Sequence, residues 1–152
     1  MTTKESIEQA QSKWGQAIVH IGEAPNWDEA RARATEAAES LYVLDGSLLF
    51  CPTKAADIQF RNTAEGALSY FVGKNTSFPE DKGFALEPWT AVRFENTGIA
   101  ECGETVLAMG NYFFRTVEGS EVKVEYSFAY VRDAQGQWKI QLHHSAFPYN
   151  PA

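Results

Sequence analysis

The chain lacks the cysteine and glycine patterns that mark most cofactor sites. Its two cysteines, Cys51 and Cys102, have no CxxC or metal-ligand spacing. We interpret both as free thiols, because we also expect no secretory signal. The sequence contains no glycine-rich phosphate loop, no GxSxG elbow and no HExxH motif. These absences remove support for most cofactor-dependent classes, so we expect no cofactor and no metal.

Long hydrophobic runs and positive charge are scarce as well. No apolar stretch approaches the ~20 residues of a membrane-spanning helix, and the start, MTTKESIEQA, has no apolar signal core. Thirteen Lys and Arg residues stand against 20 Asp and Glu, which gives a formal net charge of -7. This charge disfavours partners bound through phosphates. We therefore expect a cytoplasmic protein with neither a membrane nor a nucleic-acid partner.

The chain does have enough apolar residues for one folded core. Its 152 residues are 44% hydrophobic and 22% charged, which is typical of a soluble domain. No linker or repeat interrupts them. We therefore predict one domain over residues 1–152.

The first third of the chain has helical periodicity. Apolar residues recur every three or four positions from Ile7 to Ile21, after a capping box at Thr2, and predict a first helix. An alanine-rich stripe over 27–41 predicts a second helix, and Thr63 can cap a short third.

The rest of the chain has strand patterns. Two short apolar runs, 48–51 and 58–60, predict a hairpin. Glycine-containing turns at 118–120 and 134–136 join the last three of the long strands in an antiparallel meander. The separation of helices from strands favours an α+β fold. The four long strands are predicted at 86–98, 104–117, 121–132 and 137–146.

Three titratable side chains are candidate catalytic residues. His143 and His144 alternate along a strand, so one of them faces inward, either as a general base or donor to an anion or as a satisfied core histidine. Asp45, at the end of the second helix, is either a functional carboxylate or a turn former. Glu125, inside a strand, is either a pocket acid with a raised pKa or a solvated carboxylate.

Several further side chains are candidates for binding a ligand. Arginines at 61, 93 and 115 are either anion clamps or ordinary surface residues. Aromatic residues at helical or strand spacing either line a pocket or belong to the core. The candidate pocket residues are Trp14, Tyr42, Phe71, Trp89, Tyr112 and Ser145.

Five segments together resemble a known superfamily. They are Trp14–Ile18, Leu48–Thr53, Arg61–Thr63, Tyr70–Phe71 and the closing Gly136–Pro148, with its GxW…HHSxxP signature. These segments resemble the NTF2-like superfamily. Within it they are most similar to bacterial proteins related to the association domain of calcium/calmodulin-dependent protein kinase II.

The resemblance implies an architecture and a mode of assembly. Helices at the N-terminus would pack in the concave face of a strongly bent, mostly antiparallel sheet, around a pocket for a small ligand. Homodimers would form through the outer face of the sheet. Bacterial relatives usually carry an arginine where this chain has Glu125, which argues against simple transfer of carboxylate binding.

Two functional hypotheses follow from the residues and the resemblance, beside a purely structural assembly domain that differs from the first only in having a filled, dry cone. The first is a self-associating domain, most simply a homodimer, whose pocket binds a small organic molecule. The alternative is a cofactor-free isomerase, cyclase or dehydratase of the ketosteroid isomerase or polyketide cyclase type. In that enzyme Asp45 or Glu125 would be the base, and His143 and Tyr112 would be hydrogen-bond donors.

Overall fold

Three α-helices form where the capping residues predict them. The computed structural model describes all residues from Met1 to Ala152. Each helix follows a residue whose side chain accepts a backbone N–H of the first turn, in order Thr2, Asn26 and Thr63. None of the helices could span a membrane. The helices are α1 (Thr3–Gly22), α2 (Trp27–Leu41) and α3 (Ala64–Val72).

Five strands form one mixed sheet in the order β1-β5-β4-β3-β2. Strands β2 to β5 are an antiparallel meander, which confirms the prediction from the turns. Together with the three helices they give the α+β architecture that the sequence predicts. The strands are β1 (Leu49–Cys51), β2 (Ala91–Cys102), β3 (Thr105–Arg115), β4 (Glu121–Arg132) and β5 (Trp138–Ala146).

The predicted hairpin of 48–51 with 58–60 is wrong. Strand β1 pairs in parallel with β5, with Leu49 beside Leu142, and residues 58–60 form no strand. The Glu80 carboxylate instead accepts the backbone N–H groups of residues 56 to 58 at 2.7 to 3.2 Å. Those N–H groups therefore bind a side chain rather than a second strand.

The helices cover one face of the sheet, and side-chain alternation decides what lies beneath them. On β4, Val124, Tyr126, Phe128 and Tyr130 are buried, as the period-two pattern predicts. The outer face keeps large apolar side chains exposed, including Met109. Every functional side chain on the inner face therefore lies in a mostly aromatic core.

Candidate functional site

A small cavity lies inside the core, against β3, β5 and the segment after β1. The volume open to the centre of a water molecule is about 10 Å³, close to the least that holds one water molecule. A larger surface cleft of about 520 Å³ runs between α2 and α3, but it contains none of the predicted site residues. The cavity is lined by Trp14, Phe50, Pro52, Thr53, Tyr70, Phe71, Phe84, Tyr112, His143 and Ser145.

Three hydroxyl groups converge on the polar side of this cavity. The Ser145 Oγ lies 2.5 Å from the Thr53 Oγ1, and the Tyr112 hydroxyl donates to the same Ser145 oxygen at 2.5 Å. His143 and Ser145 face inward together because residues two apart on a strand share a face. Thr53 reaches them because β1 ends beside β5, with Cys51 next to His144.

The His143 imidazole is held by two tyrosines in an apolar setting. Its Nδ1 lies 2.8 Å from the Tyr42 hydroxyl, and its Nε2 lies 3.1 Å from the Tyr112 hydroxyl. Its ring stacks on Phe50 and Phe128, with centroids 4.9 and 4.3 Å away. Burial lowers the pKa of His143 to about 3. The imidazole is therefore neutral at neutral pH, and it is a weak base.

The tyrosines of the site are also uncharged. Burial raises the pKa of Tyr70 and of Tyr112 above the usual value, so both keep their phenolic protons at neutral pH. Tyr70 also lines a surface cleft of about 360 Å³, beside Lys54 and Glu87. Because Tyr70 borders both spaces, it lies between the buried cavity and the surface.

Most of the predicted pocket residues meet at this cavity. Trp14, Phe71, Tyr112, His143 and Ser145 line it directly. The histidine that faces inward is His143, whereas its neighbour in sequence is exposed.

Two predicted pocket residues lie just outside the lining. Tyr42 is buried behind His143, to which it is hydrogen-bonded. Trp89 is buried against Phe84 and Phe114, and its indole N–H donates to the Phe84 carbonyl at 2.8 Å. Trp89 therefore supports the wall of the cavity without facing its interior.

Neither predicted carboxylate lies in the cavity. Asp45 is exposed in a turn, where hydrogen bonds from Ser47 lower its pKa. Glu125 is exposed on the outer face of β4, because it alternates with the buried Val124 and Tyr126. Neither Asp45 nor Glu125 can therefore be a base for a reaction in this cavity.

The arginines lie away from the cavity, and Arg61 has a structural partner. Its buried guanidinium forms two bonds to Asp81, at 2.6 and 2.7 Å, and it also binds the Ile58 carbonyl at 2.7 Å. Arg93 is half-exposed and pairs with Glu121 on the outer face. Arg61 therefore braces the loop after β1, which carries Thr53.

Sequence reasoning missed Thr53, Tyr70 and Phe50 as lining residues. Thr53 and Tyr70 belong to segments that carry the family resemblance, but neither has a local pattern that marks a site. A parallel pairing of β1 with β5 would have placed Thr53 beside Ser145. The predicted hairpin excluded that pairing.

The donor set of the cavity suits a small anion better than a metal. No group of three His, Cys, Asp or Glu side chains is placed to hold a metal ion. The cavity offers neutral hydroxyl groups, which can donate hydrogen bonds to the oxygen atoms of a ligand. The cavity is close to one water molecule in size, so a ligand of several atoms binds there only if lining side chains move.

The low pKa of His143 predicts that acid destabilises the fold. Below about pH 6.5 the unfolded chain takes up a proton on His143, whereas the folded chain does not until about pH 3. The contribution to stability is thus complete above pH 6.5 and declines as the pH falls towards 3. We expect the free energy of unfolding to fall by roughly 1.4 kcal/mol per pH unit in this window from His143 alone. Urea unfolding at several pH values measures this slope.

His143→Gln and His144→Gln separate this effect from general acid denaturation. The first variant should have a shallower dependence of stability on pH than the wild type, and the second should keep the wild-type slope because His144 is exposed. Equal slopes in the wild type and His143→Gln would contradict a neutral, buried His143.

We still expect a homodimer through the outer face of the sheet. Leu107 and Met109 on β3 are 43% and 56% exposed, and Leu49 on β1 is 55% exposed. Exposed apolar side chains that share one face are typical of association surfaces.

Comparison with known proteins identifies a more specific family than the sequence resemblance did. A family model for metal-independent carbonic anhydrase matches residues 5–147. A Nostoc sp. protein with that name is 38% identical and aligns over 97% of this chain and 74% of its own length. A crystal structure of a cyanobacterial iota-carbonic anhydrase complexed with bicarbonate has 37% identity and a TM-score of 0.94, covering 98% of this chain and 94% of that one.

More distant structures share only the fold. An NTF2-like protein from Salmonella enterica has a TM-score of 0.63 at 12% identity, over 98% of this chain and 93% of its own. A calcium/calmodulin-dependent protein kinase II association domain from Xanthomonas campestris has a TM-score of 0.63 at 18% identity, over 97% and 89%. These matches confirm the NTF2-like fold. Within that fold, the chain belongs to the metal-independent carbonic anhydrase family.

Proposed function

We propose that the protein interconverts carbon dioxide and bicarbonate in the buried cavity without a metal ion. The observation that carries this proposal is the cluster of Thr53, Tyr112 and Ser145 hydroxyls in a cavity that admits only a few atoms. Family membership supports it, as does the relative whose crystal structure is complexed with bicarbonate.

The two sides of the cavity suit the two forms of the substrate. Phe50, Phe71 and Phe84 form an apolar wall that suits uncharged carbon dioxide. The Thr53 hydroxyl, which is held in place by Ser145, suits the oxygen atom that becomes negatively charged in bicarbonate. No charged side chain lines the cavity, so the anion is bound by neutral donors and is released readily.

Hydration forms one carbon–oxygen bond and releases one proton. The oxygen of a water molecule attacks the carbon of carbon dioxide, and the electron pair of one C=O bond moves onto its oxygen. Donors that are already in place stabilise this oxygen as its charge grows. The attacking water must also lose a proton, and Tyr70, which lines both the cavity and the surface cleft, lies on the side of the cavity towards solvent.

This proposal differs from both hypotheses drawn from the sequence. Family membership favours an enzyme over a noncatalytic binding module. Because the cavity is close to one water molecule in size, a steroid or polyketide would require a far larger movement of its lining side chains than carbon dioxide does. With Asp45 and Glu125 both exposed, the cavity also lacks the carboxylate base of the isomerase hypothesis.

Stopped-flow measurement of carbon dioxide hydration tests the proposal. We expect the purified protein to accelerate acidification of a buffered indicator solution, and a strong chelator to leave the rate unchanged. The reason is that the cavity offers hydroxyls rather than metal ligands.

A zinc-dependent carbonic anhydrase provides the control. Treated with the same chelator in parallel, it should lose its activity. If the protein were inactive at every concentration, or if chelation abolished its activity and zinc restored it, the proposal would be wrong.

A further inference from the structure

The hydrogen bonds around His143 have a direction that is set at one end by Trp14. The Trp14 indole N–H is a donor with no capacity to accept, and it lies 2.9 Å from the Tyr42 hydroxyl oxygen. That hydroxyl has one hydrogen, which cannot point at another donor. It therefore points to its other partner, the His143 Nδ1 at 2.8 Å. Nδ1 is thus an acceptor, and the ring carries its proton on Nε2.

The hydrogen bonds on the other side of the ring are compatible with this tautomer. The Tyr112 hydroxyl donates its only hydrogen to the Ser145 Oγ. Towards the His143 Nε2, 3.1 Å away, Tyr112 can then only accept. In this arrangement the bond uses the proton on Nε2. The hydroxyl groups of Tyr112, Ser145 and Thr53 can each donate or accept, so this side could reverse as a whole, and the Trp14 N–H is the group that fixes its direction.

The direction continues into the cavity. Ser145 accepts from Tyr112, so its own hydrogen is available to Thr53, whose Oγ1 lies 2.5 Å away. Ser145 then does not need the hydrogen of Thr53, which can point into the cavity towards a ligand or towards the Tyr70 hydroxyl that also lines it. If the chain of bonds ran the other way, Thr53 would donate to Ser145 and turn a lone pair towards the substrate. A lone pair would repel the oxygen atoms of carbon dioxide or bicarbonate.

We propose that Trp14 is a positioning residue whose indole N–H orients the hydrogen bonds from Tyr42 through His143, so that Thr53 donates to the substrate. This inference rests on the proposed function for its catalytic consequence, but the orientation itself does not. Trp14 and His143 are each 2% exposed, and the imidazole is stacked against aromatic rings. Solvent therefore does not supply an alternative partner.

The test is ¹⁵N NMR of the histidine rings, because long-range ¹H–¹⁵N couplings distinguish the two neutral tautomers. The chain has three histidines, and His20→Gln and His144→Gln variants assign the signals of the other two. We expect wild-type His143 to be protonated on Nε2 only. In Trp14→Phe the Tyr42 hydrogen is free to turn away, so a population protonated on Nδ1 should appear.

Activity provides the second readout. In Trp14→Phe, kcat for carbon dioxide hydration should fall roughly three- to tenfold, which corresponds to one neutral hydrogen bond, with little change in KM. Trp27→Phe is the matched control, since it also removes an indole N–H, one that binds the Val72 carbonyl at 2.8 Å outside the cavity. It should leave both the tautomer and kcat at their wild-type values.

Two results would overturn the inference. One is wild-type His143 protonated on Nδ1, a measurement that needs no Trp14 variant. The other is Trp14→Phe protonated on Nε2 alone, whatever its activity. An inactive wild-type protein, together with the expected tautomers in the wild type and in Trp14→Phe, would instead contradict the proposed function and support the orientation by Trp14.

Discussion

Ser145→Ala should reduce kcat/KM for carbon dioxide hydration by about 10² to 10³, because it releases Thr53 from its hydrogen bond, and loss of one preorganised donor to a developing negative charge has an effect of this size. The Ser145 hydroxyl links Tyr112 to Thr53, so its loss disconnects Thr53 from the rest of the network. Thr53→Val, which keeps the shape of the side chain, should have a similar effect. Stopped-flow kinetics of both variants measure the loss.

Ser127→Ala is a matched control for this prediction. Ser127 lies on the neighbouring strand β4, beside the exposed His144 in the register, and its side chain makes no hydrogen bond within the chain. Its removal should leave kcat/KM at the wild-type value. Wild-type kinetics in Ser145→Ala, with the fold intact by circular dichroism, would show that the cavity hydroxyls do not catalyse the reaction.

Asp81→Asn should lower the free energy of unfolding by about 3 kcal/mol, the low end of the range for breaking a buried pair, because it leaves the buried Arg61 guanidinium with only the more distant Glu80 carboxylate, at 3.6 Å. The side chains of Arg61 and Asp81 are 0% and 1% exposed. Ser69 also donates to Asp81, at 2.5 Å. The carboxylate therefore holds α3 and the loop after β1 together. Urea unfolding of the variant measures the loss.

The exposed ion pair on the outer face is the internal comparison. Glu121→Gln breaks its bonds to Arg93, but these side chains are 40% and 49% exposed. Its cost should therefore stay below about 1 kcal/mol. An equal cost for Asp81→Asn and Glu121→Gln would mean that burial of the first pair has no energetic consequence. Asp81→Asn should also lower activity, since Thr53 is on the braced loop.

The sequence predicts the parts of the site that depend on local periodicity. Strand alternation places His143 and His144 on opposite faces and puts His143 with Ser145. The same alternation places Glu125 and Tyr126 on opposite faces of β4, and in the structure Tyr126 is buried and Glu125 is exposed. The interpretation of Glu125 as a pocket acid gave its charge more weight than its place in the pattern.

The remaining parts depend on contacts between distant segments. Thr53 and Ser145 are 92 residues apart in sequence, and they meet because a three-residue strand pairs in parallel with β5. So short a strand has no periodicity from which to read its partner. The side of the sheet that the helices cover also follows from packing, so alternation alone did not decide which histidine is buried.

The exchange of ¹⁸O between labelled carbon dioxide and water, followed by mass spectrometry, is the most direct test of catalysis by the buried hydroxyls. It measures the interconversion itself at chemical equilibrium and needs no indicator. We expect metal-free wild-type protein to deplete the label faster than buffer, and the double variant Thr53→Val with Ser145→Ala to match buffer. Depletion at the uncatalysed rate by the wild type, or at the wild-type rate by the double variant, would contradict the account.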